Sequence, residues 1–137
     1  MAIRVLIADD HPVVRRGIKA LLSGSPACEV VDEAEDGLDA LNKAERLKPN
    51  VVVLDISMPR MDGLEACRRI RKSLPESEVL IVTQHDSAQM MSEALDAGAR
   101  GYVVKANSVR DLLPAIEAVS QHKTFFASRD HNTANTR

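Results

Sequence analysis

Asp9 and Asp10 follow the apolar run IRVLIA, Asp55 follows VVVL, Thr83 closes EVLIVT, and Lys105 follows GYVV. A parallel sheet built from these runs would gather all five side chains at one edge. Burying a carboxylate without a partner is costly, so an aspartate that ends four apolar residues demands compensation from elsewhere in the chain. Three carboxylates in one place also repel: at an effective dielectric of about 20, a pair roughly 5 Å apart costs about 3 kcal/mol. Either one of them takes a proton or a cation binds. Oxygen donors, with no thiolate or histidine in the pattern, suit a hard ion, magnesium above zinc. Such an ion and the Lys105 ammonium would together cancel the charge of the three aspartates. Asp55, held rigidly beside the ion, could then act as an oxygen nucleophile toward phosphorus. The ion and Lys105 would neutralise the phosphoryl oxygens during transfer, and the Thr83 hydroxyl would hydrogen-bond one of them.

Single residues have plainer readings. Asp10 could merely cap a helix, and Asp9 could be a solvated loop residue. Asp55 could be satisfied by backbone amides. Thr83 and Lys105 say little alone, since threonine favours strands and lysine favours surfaces. The combination at one sheet edge is what carries the chemistry.

The elements that must position these groups are legible. Ile3 to Ala8, Cys28 to Ala34, Val51 to Leu54, Glu78 to Thr83 and Gly101 to Val104 are of strand length and rich in β-branched residues. Between them apolar residues recur at helical spacing, as in Val14, Ile18, Leu21 and Leu22, then Leu38, Leu41 and Leu47, then Gly63, Cys67 and Ile70. Val109, Leu112, Leu113, Ile116 and Val119 continue the pattern, and Asp86 to Ala97 is a less apolar helix closed by Gly98. Asp10-His11-Pro12, Asp36-Gly37 and Asp62-Gly63 read as helix starts. Strands apolar on both faces that alternate with helices predict an α/β fold, a doubly wound parallel sheet of five strands covered on both sides. Its ligand crevice lies beyond the carboxyl ends of the strands.

The 137 residues fit one domain, residues 1–123, and 45% are hydrophobic, enough to fill a core. Residues 124–137, ending in the polar SRDHNTANTR, are expected to be a linker or a disordered or non-native tail. With 18 basic and 20 acidic residues, the chain has no global field to draw it onto nucleic acid or an anionic membrane. Cys28 and Cys67 are isolated, which argues against a disulfide framework and a zinc site. Neither a signal peptide nor an apolar stretch of about 18 residues is present, so a soluble cytoplasmic protein is expected. His11, His85, His122 and His131 show no metal-binding spacing.

IADDHP, VVVLDISMPRMDG, VLIVTQHD and GARGYVVKA occur in this order between Ile3 and His122. In these motifs the chain resembles the receiver domains of two-component response regulators. DDHPVVRRGIKALL and GYVVKANSVRDLLPAI further resemble the NarL/FixJ-type subgroup, whose receivers precede a helix-turn-helix domain. The resemblance implies a flavodoxin-like receiver fold with strand order 2-1-3-4-5 and a phosphorylation-dependent signalling switch working with Mg2+. It implies Asp55 as the phosphoryl acceptor, Asp10 as a direct metal ligand, Asp9 as a ligand through water, and Ser57 as a ligand through its backbone carbonyl. Lys105 matches the site lysine, Thr83 the hydroxyl that moves toward the phosphoryl group, and Tyr102 the aromatic that rotates inward as that hydroxyl moves. The implied partners are a sensor histidine kinase and a second copy on phosphorylation, with DNA reached only through an output domain that this sequence lacks.

Gln84 stands where many receivers place a small residue, and Ala106 where many have proline, which affects phosphate lifetime and loop geometry rather than the chemistry. Related magnesium-dependent phosphatases carry an aspartate two residues after the nucleophile; here that position is Ser57. Turnover as an enzyme is therefore not expected, beyond slow autophosphatase activity.

Overall fold

The computed structural model describes residues 2–127. Five helices alternate with strands: β1 (Ile3–Ala8), α1 (Pro12–Ser23), β2 (Cys28–Ala34), α2 (Gly37–Leu47), β3 (Val51–Leu54), α3 (Gly63–Ser73), β4 (Glu78–Thr83), α4 (Ala88–Asp96), β5 (Gly101–Val104) and α5 (Ser108–Ser120). A 3-10 turn, Lys105–Asn107, joins β5 to α5, and β6 (Phe125–Ala127) ends the described chain. The sheet is parallel throughout, in the order β2-β1-β3-β4-β5-β6.

All five expected strands and their order are present, but the sheet has six strands rather than five. Gly101, Tyr102 and Val103 pair with Phe125, Phe126 and Ala127, so the sheet runs past the boundary expected after residue 123. The extra strand covers what would otherwise be the open edge of β5. Residues 128–137, which hold most of the expected tail and His131, lie outside the described residues.

The period-2 alternation of the strands splits the interior into two layers. Val5, Ile7, Val51, Val53, Leu80 and Val82 pack with Ile18 and Leu22 of α1 and Leu112, Ile116 and Val119 of α5. Leu6, Val52, Leu54, Val79, Ile81 and Tyr102 face the other way, onto Leu41 of α2, Cys67 and Ile70 of α3, and Ala94 of α4. β3 and β4 are buried along their whole length, as expected for central strands of a parallel sheet.

The helix starts also follow local chemistry. Asp36 accepts from the Asp39 amide at 2.8 Å, Asp62 from that of Glu65 at 2.9 Å, and Ser87 from that of Met90 at 3.0 Å. α1 differs: its N-cap is His11 with no side-chain cap, followed by Pro12. Asp10 is thus not spent on capping. Gly98 takes a φ of +100°, the left-handed turn expected after α4.

Candidate functional site: an acidic pocket at the carboxyl edge

β1 leads to β2 on one side of the sheet, and the chain then crosses to β3 on the other side of β1. Strand order therefore reverses between β1 and β3, where such sheets open a crevice. The Asp55 amide donates to Ala8 O at 3.0 Å and the Asp9 amide to Ala34 O at 3.1 Å, which fixes both residues to the end of β1 and its neighbours. Their side chains are almost fully buried, at 2% exposure for Asp9 and 4% for Asp55.

Lys105 supplies the compensation. From the turn after β5 its Nζ comes within 2.8 Å of Asp9 Oδ2 and 3.4 Å of Asp55 Oδ2. The Ser108 hydroxyl bonds the Lys105 carbonyl and holds that turn. Asp55 Oδ1 accepts from the Ile56 amide at 2.9 Å. Burial, and after it the charge of Asp9, still keeps the Asp55 carboxyl above the usual carboxylate range despite the lysine. Burial alone would lower the Lys105 ammonium; its hydrogen bond to Asp9 and the two carboxylate charges outweigh that and hold it above the ordinary lysine value.

Asp10 completes the pocket. Its Oδ1 is buried and has no hydrogen-bond partner. His11 Nδ1 lies 3.1 Å from that atom, close enough for an ion pair, yet the hydrogen bond of the ring goes to Asp9 Oδ1 at 3.0 Å. One ligand atom from each of Asp9, Asp10, His11 and Asp55 lies within 4.8 Å of the others. The donor set fits a divalent cation: three carboxylates with one ammonium leave negative charge to be balanced, and an orphaned buried oxygen points to a missing partner.

The loop from Ile56 to Asp62 is strapped down around this pocket. Gly63 donates to Ile56 O at 2.8 Å, and Arg60, at a φ of +67°, reaches Asp36 Oδ2 at 2.7 Å. Ile56 and Met58 anchor the loop in the core, while Ser57 is exposed. Thr83, buried at the end of β4, accepts from the His85 amide at 3.4 Å and makes no hydrogen bond to Asp55. Tyr102 is fully buried; its hydroxyl donates to His85 O at 2.5 Å and its ring stacks on Phe126.

The family profile described as "Response regulator receiver domain" matches residues 5–117. The chain belongs to that family. The response regulator protein VraR of Staphylococcus aureus is 40% identical to it over 126 residues, which cover 92% of this chain and 60% of VraR. The receiver thus spans about 60% of the length of the curated relatives it matches. A crystal structure of a LuxR-family two-component response regulator from Aurantimonas sp. SI85-9A1 superposes with a TM-score of 0.90 at 34% identity, covering 100% of this chain and 99% of that one. The isolated receiver domain of RcsB from Salmonella enterica serovar Typhimurium, solved with the phosphomimetic BeF3-, gives 0.84 at 31% identity, covering 93% and 94%. Such LuxR- and NarL-family regulators are the subgroup that the motifs suggest.

The receiver fold brings Asp9, Asp10, Asp55 and Lys105 together, as their positions after apolar runs imply. Three participants escaped the sequence. His11 joins the pocket although its spacing to other ligand types is uninformative, because its amide donates to Asp9 Oδ1 at 2.9 Å and curls the ring back. The expected absence of histidine from the cluster is therefore corrected. Arg15 donates to the Asp9 carbonyl at 2.5 Å, and Arg60 ties two loops whose sequence carries no signal of contact. Among the described residues no helix is long and apolar enough to cross a membrane.

Proposed function

We propose that this receiver is a phosphorylation switch in which Asp55 takes a phosphoryl group from a phosphohistidine of a sensor histidine kinase. The observation that carries this reading is the Lys105 ammonium set between Asp9 and Asp55 at the point where strand order reverses. A carboxylate oxygen of Asp55 attacks phosphorus; the new P–O bond forms as the P–N bond to the kinase histidine breaks, and the imidazole leaves with the electron pair. Lys105 neutralises charge on the phosphoryl oxygens. Asp10, Asp55, the Ser57 carbonyl and, through water, Asp9 would hold Mg2+. Bound there, the ion supplies positive charge to the transferring group.

Once Asp55 is phosphorylated, the Thr83 hydroxyl turns from the His85 amide toward a phosphoryl oxygen, and the inward Tyr102, fully buried with its hydroxyl on His85 O, is held in that position. The altered surface selects a second copy of the receiver. Output is transcriptional, through a DNA-binding domain connected after the sheet, in keeping with the longer VraR and the LuxR-family relative. The receiver, residues 1–123 as first delimited and β6 with it, works in the cytoplasm. It is not an enzyme in the ordinary sense: Ser57 offers no acid two residues after Asp55, so hydrolysis of the aspartyl phosphate is slow.

Incubation with Mg2+ and acetyl phosphate followed by intact-mass measurement tests the assignment. One phosphoryl group is expected on the native chain and none on Asp55→Asn. Equal labelling of the variant removes Asp55 as the acceptor.

A further inference from the structure

His11 lies outside the proposed magnesium ligand set, and its placement suggests a use. The residue is the N-cap of α1, with an extended backbone at φ −100° and ψ 109°. Its amide is held by Asp9 Oδ1, and Pro12 fixes the next turn. The ring therefore folds over the pocket, with Nδ1 at 3.0 Å from Asp9 Oδ1 and 3.1 Å from Asp10 Oδ1. The second of these oxygens is the buried one without a hydrogen-bond partner. Neighbouring ligands on one ion with bonds of about 2.0–2.2 Å stand roughly 3 Å apart, which is the spacing of His11 Nδ1 from both oxygens. The cluster as a whole spans up to 4.8 Å and would close slightly around an ion. The side chain is 62% exposed, so the ring can adjust to an ion without repacking the core.

We propose that His11 is a specificity-determining ligand, adding an imidazole nitrogen to the acidic pocket so that it holds borderline divalent transition ions more tightly than Mg2+. The inference rests on the metal reading of the pocket given above. Mg2+ prefers oxygen donors and keeps much of its water, and so gains little from an added nitrogen. Mn2+, Co2+ and Ni2+ accept imidazole, with affinity rising along that series. A neutral imidazole adds no charge, so it alters which ion is preferred without disturbing the balance set by the carboxylates and Lys105.

Calorimetric titrations of the full chain with MgCl2 and with NiCl2 test this, alongside His11→Ala, His11→Gln and Asp10→Asn. Native protein should bind Ni2+ more tightly than Mg2+. Both His11 variants should lose about tenfold in Ni2+ affinity while Mg2+ affinity stays within about twofold. With Cu2+, the electron paramagnetic resonance spectrum should show coupling to an imidazole nitrogen that vanishes in His11→Ala. Unchanged Ni2+ affinity, or equal losses for both ions, overturns the role of His11 alone. Mg2+ that fails to bind the native chain, or binds Asp10→Asn equally well, overturns the pocket as a metal site and the inference with it.

Discussion

The phenol of Tyr102 donates to the backbone carbonyl of His85, 17 residues earlier, at 2.5 Å. The amide of the same residue is the donor to the Thr83 hydroxyl. Thr83 and Tyr102 are therefore coupled through one residue of backbone, and neither can reorient without releasing a bond to it. That arrangement gives the switch two discrete states instead of a continuum.

Tyr102 is the single tyrosine, and the sequence has no tryptophan, so its optical signals report on this coupling directly. Burial, and after it the charge of Asp86, pushes the phenol up to about 12. In an alkaline absorbance titration, phenolate should appear near pH 12 in the folded protein and near pH 10 in guanidinium. Tyr102→Phe keeps the ring and removes the hydrogen bond; a loss of about 1 kcal/mol in urea unfolding is expected.

Asp55 is held above the usual carboxylate range by burial and by Asp9. A carboxyl whose folded pKa is raised destabilises the fold at neutral pH, and the penalty fades as pH falls through that folded value. Asp55→Asn removes the charge while Lys105 keeps its contact with Asp9. Without metal, the variant should be more stable by about 1 kcal/mol, and added Mg2+ should stabilise it less than the native chain. A less stable metal-free variant would contradict this account.

Gly63 is required by close approach. A Cβ there would lie 2.0 Å from the Asp55 carbonyl oxygen and 2.8 Å from Ile56 Cα. Gly63→Ala should cost about 2–3 kcal/mol and weaken Mg2+ binding, since the backbone that must yield carries the acceptor. Gly17→Ala, in an open position of α1, should instead stabilise by roughly 0.5–1 kcal/mol. Urea denaturation of the two variants separates the effects.

At the opposite end of the sheet Glu78 is buried beside His122 Nδ1 at 2.5 Å, Arg100 Nε at 3.3 Å and Arg71 at 3.5 Å. Burial alone would raise its carboxyl, but hydrogen bonds from His122 and Arg100 and the nearby guanidinium charges hold it below the ordinary glutamate range. A depressed folded pKa contributes stability that is present above the unfolded value and lost as pH falls through the folded one. Glu78→Gln should lose about 3 kcal/mol at neutral pH, and its stability should fall less steeply than that of the native chain below about pH 4.5.

The strands were legible because each is a short segment rich in β-branched residues between turn residues, and Asp55 stood out because VVVL leaves it nowhere to hide. β6 was not legible: Phe125, Phe126 and Ala127 are too short a run to show a period, and their strand character comes from register with β5. The His11 ring is placed by an amide on Asp9, a contact between near neighbours that no spacing rule encodes. Arg60 and Asp36, like Glu78 with Arg71, Arg100 and His122, meet only after helices have packed. Single-residue tertiary contacts leave no trace in hydrophobic periodicity.

Phe126 faces Tyr102 across the β5–β6 pair, their ring centroids 6.4 Å apart and nearly coplanar in tilt at 12°. Swinging the phenol outward would strip the outermost strand of its aromatic support. Phosphorylation at the crevice, by keeping the phenol inward, would instead tighten the rim of the sheet, and the firmness of that last border strand becomes a gauge of what has happened at residue 55.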